Sequence, residues 1–257
     1  MNRQEIEKIY YEWEEQLEKE YNEIFFDAQY TIFDGVVSPF DYFHSPIKVM
    51  FLNRESYGDS YNIHEELKKQ IEKGEPILGG NYWINQNTKE RLALCSLLDK
   101  FADVLEGEAI DYAVNLDDKE YRSLLYKSAY CNIKKSNGRE RSTKNDLLNY
   151  AQKGWSIIEK QVVFFNPTLI IGGNVFDGII EKIEGLNWGD PQVLYKEKTN
   201  SVVIYKIEFG GKPFPFMDMY HPSYMCHSHG LIYALKYLAQ HCPDFWKYRI
   251  GQKCFEL

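Results

Sequence analysis

The sequence predicts an α/β fold, a three-layer α/β/α sandwich around a mainly parallel central sheet. Short apolar runs at residues 47–52 (IKVMFL), 128–133 (SAYCNI) and 168–171 (TLII) read as buried strands, because each is brief and ends in turn chemistry. These runs alternate with amphipathic segments of ten or more residues, the order that builds a parallel sheet covered on both faces. With 257 residues, 44% of them hydrophobic, the chain is long enough for one substantial core.

Each element has its own signal. Ile6, Ile9, Tyr10, Trp13, Leu17 and Tyr21 recur at helical spacing, with Glu and Lys on the other face. This helix and the connection containing Gly35 and Pro39 make residues 1–45 an N-terminal helical extension packed on an α/β domain spanning 46–257. After the first strand the turn-like NRESYGDS leads to a helix near Ile63. A Gly-, Pro- and Asn-rich stretch carrying Tyr82 and Trp83 reads as loop, and Thr88 reads as the cap of a helix holding Leu94, Leu97, Leu98, Phe101 and Val104. The strand of residues 128–133 runs into the basic loop KKSNGRERSTK. From Leu148 onward, Ala151, Trp155, Ile158, Val162 and Phe165 mark a long helix that Asn166-Pro167 ends. Gly172-Gly173 makes a turn, and Asn174 reads as the cap of a helix with Val175, Phe176, Ile179 and Ile180. Two strand-like runs, VVIYKIEF and FPFMDMY, precede His221-Pro222-Ser223, and a last helix holds Leu231, Ala234, Leu235 and Leu238.

Composition narrows the function classes. A net charge of −8 and a pI near 5.4 do not advertise a polyanion partner, so nucleic-acid binding requires a local basic patch. The five cysteines include no CxxC pair, which argues against a disulfide framework and a four-cysteine metal or cluster site. No apolar run reaches the ~20 residues of a membrane span, and the N-terminus lacks a signal-peptide stretch. A soluble, cytoplasmic protein without membrane, metal or cofactor is expected; oligomeric state is not legible.

In an open α/β sheet, ligands bind outside the carboxyl ends of the strands. The first strand ends in Asn53-Arg54-Glu55-Ser56-Tyr57, the second in Asn132 and the basic loop, the third in Gly172-Gly173-Asn174 and the last in His221-Pro222-Ser223. A carboxylate, a carboxamide, a glycine turn and an imidazole on one rim suit cleavage of a bond to a heterocycle.

In order and spacing, these segments resemble the uracil-DNA glycosylase superfamily over residues 46–240. The resemblance is carried mainly by NPTLIIGGNVF and YHPSY, together with the acidic first-strand loop and the strand-end asparagine. Asn53 and Ser56 stand where that family usually has Gly and Pro, and the cysteines do not match its iron-sulfur branch. The resemblance implies removal of a damaged or modified base, uracil or a relative, from single- or double-stranded DNA by hydrolysis of the N-glycosidic bond. On it, Glu55 orients the attacking water or stabilises the positive sugar of an oxocarbenium-like state. His221 donates to the carbonyl oxygen of the departing base. Asn132 reads the flipped base's edge through paired donor and acceptor groups, within a pocket to which Asn53 and Tyr57 contribute. Tyr82 or Trp83 offers a ring on which the base stacks. Ser223, Tyr224 and Met225 fall where family members touch DNA and push an apolar wedge into the stack. Lys134, Lys135, Arg139 and Arg141 are the candidate phosphate contacts.

Each of these residues also has a purely structural reading: a turn acid for Glu55, an Asx turn for Asn132, a strand terminator for His221-Pro222, core for the aromatics and a solvated face for the basic run. Three functional rivals stand beside the excision reading. His221, Cys226, His227 and His229 lie close enough in sequence to suggest zinc, although one short loop crowds four ligands. Nucleotide binding at residues 171–174 lacks the GxGxxG pattern. The glycosylase fold could also serve DNA binding without excision, since folds do not fix functions.

Overall fold

A computed structural model describes residues 1–25, 32–55, 61–73, 86–136, 142–183, 192–198, 201–220 and 228–247. Its centre is a six-stranded sheet built from β2 (Val49–Glu55), β4 (Ser128–Lys134), β5 (Leu169–Gly173), β6 (Gln192–Lys196), β7 (Val202–Phe209) and β8 (Lys212–Met219), ordered β4-β2-β5-β8-β7-β6. The first four strands of that order are parallel; β7 pairs antiparallel with both β8 and β6. Gly210 and Gly211, at φ 56° and 71°, close the β7–β8 hairpin. Two residues with positive φ are what a tight primed turn requires, and glycine supplies them without steric cost. A separate two-stranded ladder joins β1 (Ile32–Phe33) to β3 (Tyr61–Asn62).

Helices cover both faces, as alternation along the strands dictates. Val49, Phe51, Leu169, Ile171, Met217 and Met219 pack with residues of α3 (Ile63–Glu72), α4 (Gln86–Ser96), α5 (Glu106–Asn115), α6 (Asp118–Tyr126) and α8 (Ser228–His241). Met50, Leu52, Ile170 and Phe216 pack with α1 (Arg3–Ile24), α2 (Pro39–His44) and α7 (Lys144–Phe165). The three-layer α/β/α sandwich expected from the sequence is therefore the architecture of the protein.

The N-terminal residues enter the second of these layers. Asn2 and Glu5 form a reciprocal capping box at the start of α1. Trp13 stacks on Phe164 of α7 with ring centroids 3.9 Å apart. Beyond α1, residues 34–36 run along the outer edge of β4: Val36 bridges Ala129, and Tyr130 donates its N–H to the Gly35 carbonyl at 2.8 Å. Tyr10 locks this segment from α1, its hydroxyl accepting from the Val36 N–H at 3.1 Å and donating to Glu14 at 2.8 Å.

Several local expectations need correction. Thr88 lies inside α4 and is not its cap, and α4 stops at Ser96, so Leu98 and Phe101 are buried from turns beyond it. The helices α5 and α6 and the edge strand β6 have no counterpart in the sequence reading; β6 is mostly exposed and lacks a buried apolar face. Among the described residues 174–183 no α-helix follows Asn174, which adopts a left-handed φ of 58°; turns lead instead to one 3-10 turn at Ile180–Lys182. By contrast, α7 ends where Asn166-Pro167 predicts, with Asn166 left-handed at φ 43°.

Candidate functional site

Four parallel strands deliver their carboxyl ends to one rim. Register aligns Asn53 of β2 with Asn132 of β4, and Glu55 with Lys134. On the other side Leu52 pairs with Gly172 of β5, Gly172 with Asp218 of β8, and Gly173 with Met219. Among the parallel strands, β2 is first in the chain, yet β4 and β5 lie on opposite sides of it. The chain thus changes winding direction at β2 and β5, the kind of switch at which α/β sheets bind ligands. Asn53, Arg54 and Glu55 edge one side of that position; Gly172, Gly173 and Asn174 edge the other.

Two charged residues clamp the turn after β5. Arg54 donates from Nε at 3.1 Å and Nη2 at 2.8 Å to the Asn174 carbonyl. The buried Asp218 carboxylate accepts from the Val175 N–H at 3.0 Å and the Phe176 N–H at 3.1 Å. These bonds hold the backbone amides that follow Asn174 in a fixed turn. Burial pushes the Asp218 carboxyl up to about 6, against the backbone N–H bonds that favour its anion. Gly172 is required beneath it: a Cβ there would lie 2.5 Å from Asp218 Oδ1 and 2.6 Å from the Phe216 ring.

Glu55 is held as firmly. Its side chain is 6% exposed; Oε1 accepts the Ser142 N–H at 3.2 Å, and Oε2 accepts the Ser142 hydroxyl. Lys134 Nζ stands 3.9 Å from Oε2, but is closer to Asp146, at 2.8 Å, and donates to the Ser142 hydroxyl at 3.2 Å. Glu55 therefore anchors the end of β2 to the chain entering α7.

Next to it lies a fully enclosed polar cluster. Lys135 Nζ is 2.6 Å from Asp34 Oδ1, with side-chain exposures of 3% and 0%. Gln161 Nε2 donates to the same oxygen at 2.9 Å, and the Asn132 backbone N–H donates to Asp34 Oδ2. Burial lowers the Lys135 ammonium, but the Asp34 carboxylate outweighs it and holds the group above the ordinary lysine range. Cys131 lies 3.0 Å from Gln161 Oε1 and 3.6 Å from Lys135 Nζ; burial pushes its thiol up to about 12.

Of the expected site residues, Asn53, Glu55 and Asn132 come together on the rim, and all are largely enclosed. Lys134 and Lys135 follow Asn132 but pair their ammonium groups with carboxylates of the chain itself, Lys134 with the exposed Asp146 and Lys135 with the enclosed Asp34. Tyr57, Tyr82, Trp83, Arg139, Arg141, His221, Ser223, Tyr224 and Met225 lie outside the described residues. So do Cys226 and His227 of the zinc rival; among the described residues no group of three or more His, Cys, Asp or Glu side chains could hold a metal ion. Tyr220, the last described residue before His221, is 47% exposed at the end of β8. Among the described residues no helix is long and apolar enough to cross a membrane.

Sequence reasoning gave no role to Asp34, Arg54, Gln161 and Asp218, and read Ser142 as part of the phosphate-contacting loop, where the structure has it hold Glu55. Asp218 carried a signal: a lone acid within the apolar FPFMDMY is unusual in a buried strand. Asp34, preceding Gly35, reads as ordinary turn chemistry, and only long-range folding shows its partners. Compared with known proteins, the chain matches no family model and no curated sequence.

Proposed function

We propose that the protein removes a damaged or modified base from DNA by hydrolysing its N-glycosidic bond. The observation that carries this reading is the register of the parallel strands, which sets Asn132 of β4 beside Asn53 of β2, with Glu55 two residues further along β2, the strand whose other side borders the switch to β5. Excision of a flipped base needs an amide to read its edge, an acid near the sugar and a donor for the leaving base. Asn132 and Asn53 supply the amides, Glu55 the acid, and His221, two residues beyond β8, the donor. A carboxylate that stabilises an oxocarbenium-like sugar works best when it does not reorganise, and the two Ser142 donors hold Glu55 in that manner. Asn174 and its clamped turn stand across the switch, after β5.

A second reading, DNA binding without excision, is favoured by one observation. Lys134 and Ser142 already engage Glu55, as they would a structural acid. The two readings part on base release. Single- and double-stranded oligonucleotides carrying uracil, hypoxanthine, xanthine or modified cytosines are incubated with the protein, and abasic sites are cleaved with alkali. Strand scission that His221→Ala removes supports excision; DNA binding without scission supports the second reading.

A further inference from the structure

We infer that Asp34 is a positioning residue for Asn132, so that the N-terminal segment is part of the base-reading apparatus. The inference rests on the excision reading above. β4 is the outermost strand of the sheet, and its outer edge would present unpaired N–H groups. Residues 34–36 cover that edge: Gly35 takes the Tyr130 N–H, and one step further the Asp34 carboxylate takes the N–H of Asn132 itself. The remaining oxygen of Asp34 is fixed from two other directions, by Lys135 from the end of β4 and by Gln161 from α7. A carboxylate held by three donors, with its side chain fully enclosed, has one available position.

This arrangement fixes the backbone at the residue whose carboxamide has to meet a base edge. Reading by paired hydrogen bonds tolerates little displacement, because each bond weakens steeply with distance and angle. The outward N–H groups of β4 alternate: Tyr130 gives its own to the Gly35 carbonyl, whereas Asn132 gives its own to a carboxylate that is fixed from two further sides. The arrangement also explains why Lys135 belongs to a basic run yet faces inward: its charge balances Asp34.

The test compares two double variants of the full chain. Asp34→Asn with Lys135→Met removes both charges and keeps a carbonyl acceptor for the Asn132 N–H. Asp34→Ala with Lys135→Met removes the charges and the acceptor. Circular dichroism and thermal midpoints establish folding, and single-turnover base release is measured against DNA concentration. We expect the acceptor-keeping variant to stay near the wild-type rate. The acceptor-lacking variant loses about a hundredfold in rate, the scale on which ångström misplacement acts, at little change in half-saturating DNA. Adding Asn132→Ala to it costs little more. If the acceptor-lacking variant does not fold, Gln161→Leu replaces it, with a loss of about tenfold expected from the weakened support. Wild-type rates in the folded acceptor-lacking variant, or in Gln161→Leu where that stands in for it, overturn the inference alone; no base release by the wild type from any oligonucleotide overturns the excision reading and this inference with it.

Discussion

Lys135 Nζ lies 2.6 Å from Asp34 Oδ1, across 101 residues of sequence, and neither side chain reaches solvent appreciably. Two buried charges of this kind stabilise only as a pair, since each pays a desolvation cost that its partner offsets. Asp34→Ala alone should destabilise the protein by about 3–5 kcal/mol, because it leaves an uncompensated ammonium in the interior. Adding Lys135→Met should recover most of that loss. Urea denaturation of the single and double variants checks this; equal stability of the two would show that the charges are not coupled.

Gly172 is a second point of strain-free close approach. Gly172→Ala places a methyl group against Asp218 Oδ1 and the Phe216 ring at under 3 Å, and neither neighbour is at a free surface. Overpacking of this type costs about 1–3 kcal/mol. We expect a lower thermal midpoint and a displaced turn at residues 174–176, measurable by the amide chemical shifts of Val175 and Phe176.

Asp218 gives the protein a pH signature of defined sign. Its carboxyl titrates at about 6 in the fold, against an ordinary value of 3.8. Between those values the folded state holds a proton that the unfolded state has released. Stability from this group is therefore fully present below about pH 4, falls as pH rises towards about 6, and is level above it. The difference amounts to roughly 3 kcal/mol. Asp218→Asn, which cannot titrate, should lack this slope. Urea midpoints of both proteins at intervals between about pH 4 and 7 measure it; parallel curves would refute the assignment.

How much of this was legible in the sequence follows from range. Strands β2, β4, β5 and β8 announce themselves as short apolar runs ending in polar turns, because burial on both faces leaves no room for anything else. Their parallel pairing follows from the intervening helices, and with it the meeting of Asn53, Glu55 and Asn132. Edge strand β6 and the small helices α5 and α6 were not legible, since elements that bury little leave weak periodicity. Where a helix was expected after Asn174 there is a turn, and its Val175 and Phe176 amides are held by Asp218, a partner more than forty residues away that periodicity does not reveal. The basic run illustrates the same limit. Lys134 and Lys135 look like phosphate contacts in one dimension, and only the fold brings Asp146 and Asp34 to them.

Hydrolytic base excision at the end of β2 would liberate the free base itself, which can be measured. Oligonucleotides carrying each candidate base are incubated in excess enzyme, and liberated base is identified by mass spectrometry for the wild type, Glu55→Gln and His221→Ala. We expect release of one base or a small set by the wild type. A loss of about a hundredfold or more is expected in each variant, the scale set by removing one group that stabilises transition-state charge. No free base from any oligonucleotide, or release undiminished in Glu55→Gln, would rule out excision at this site.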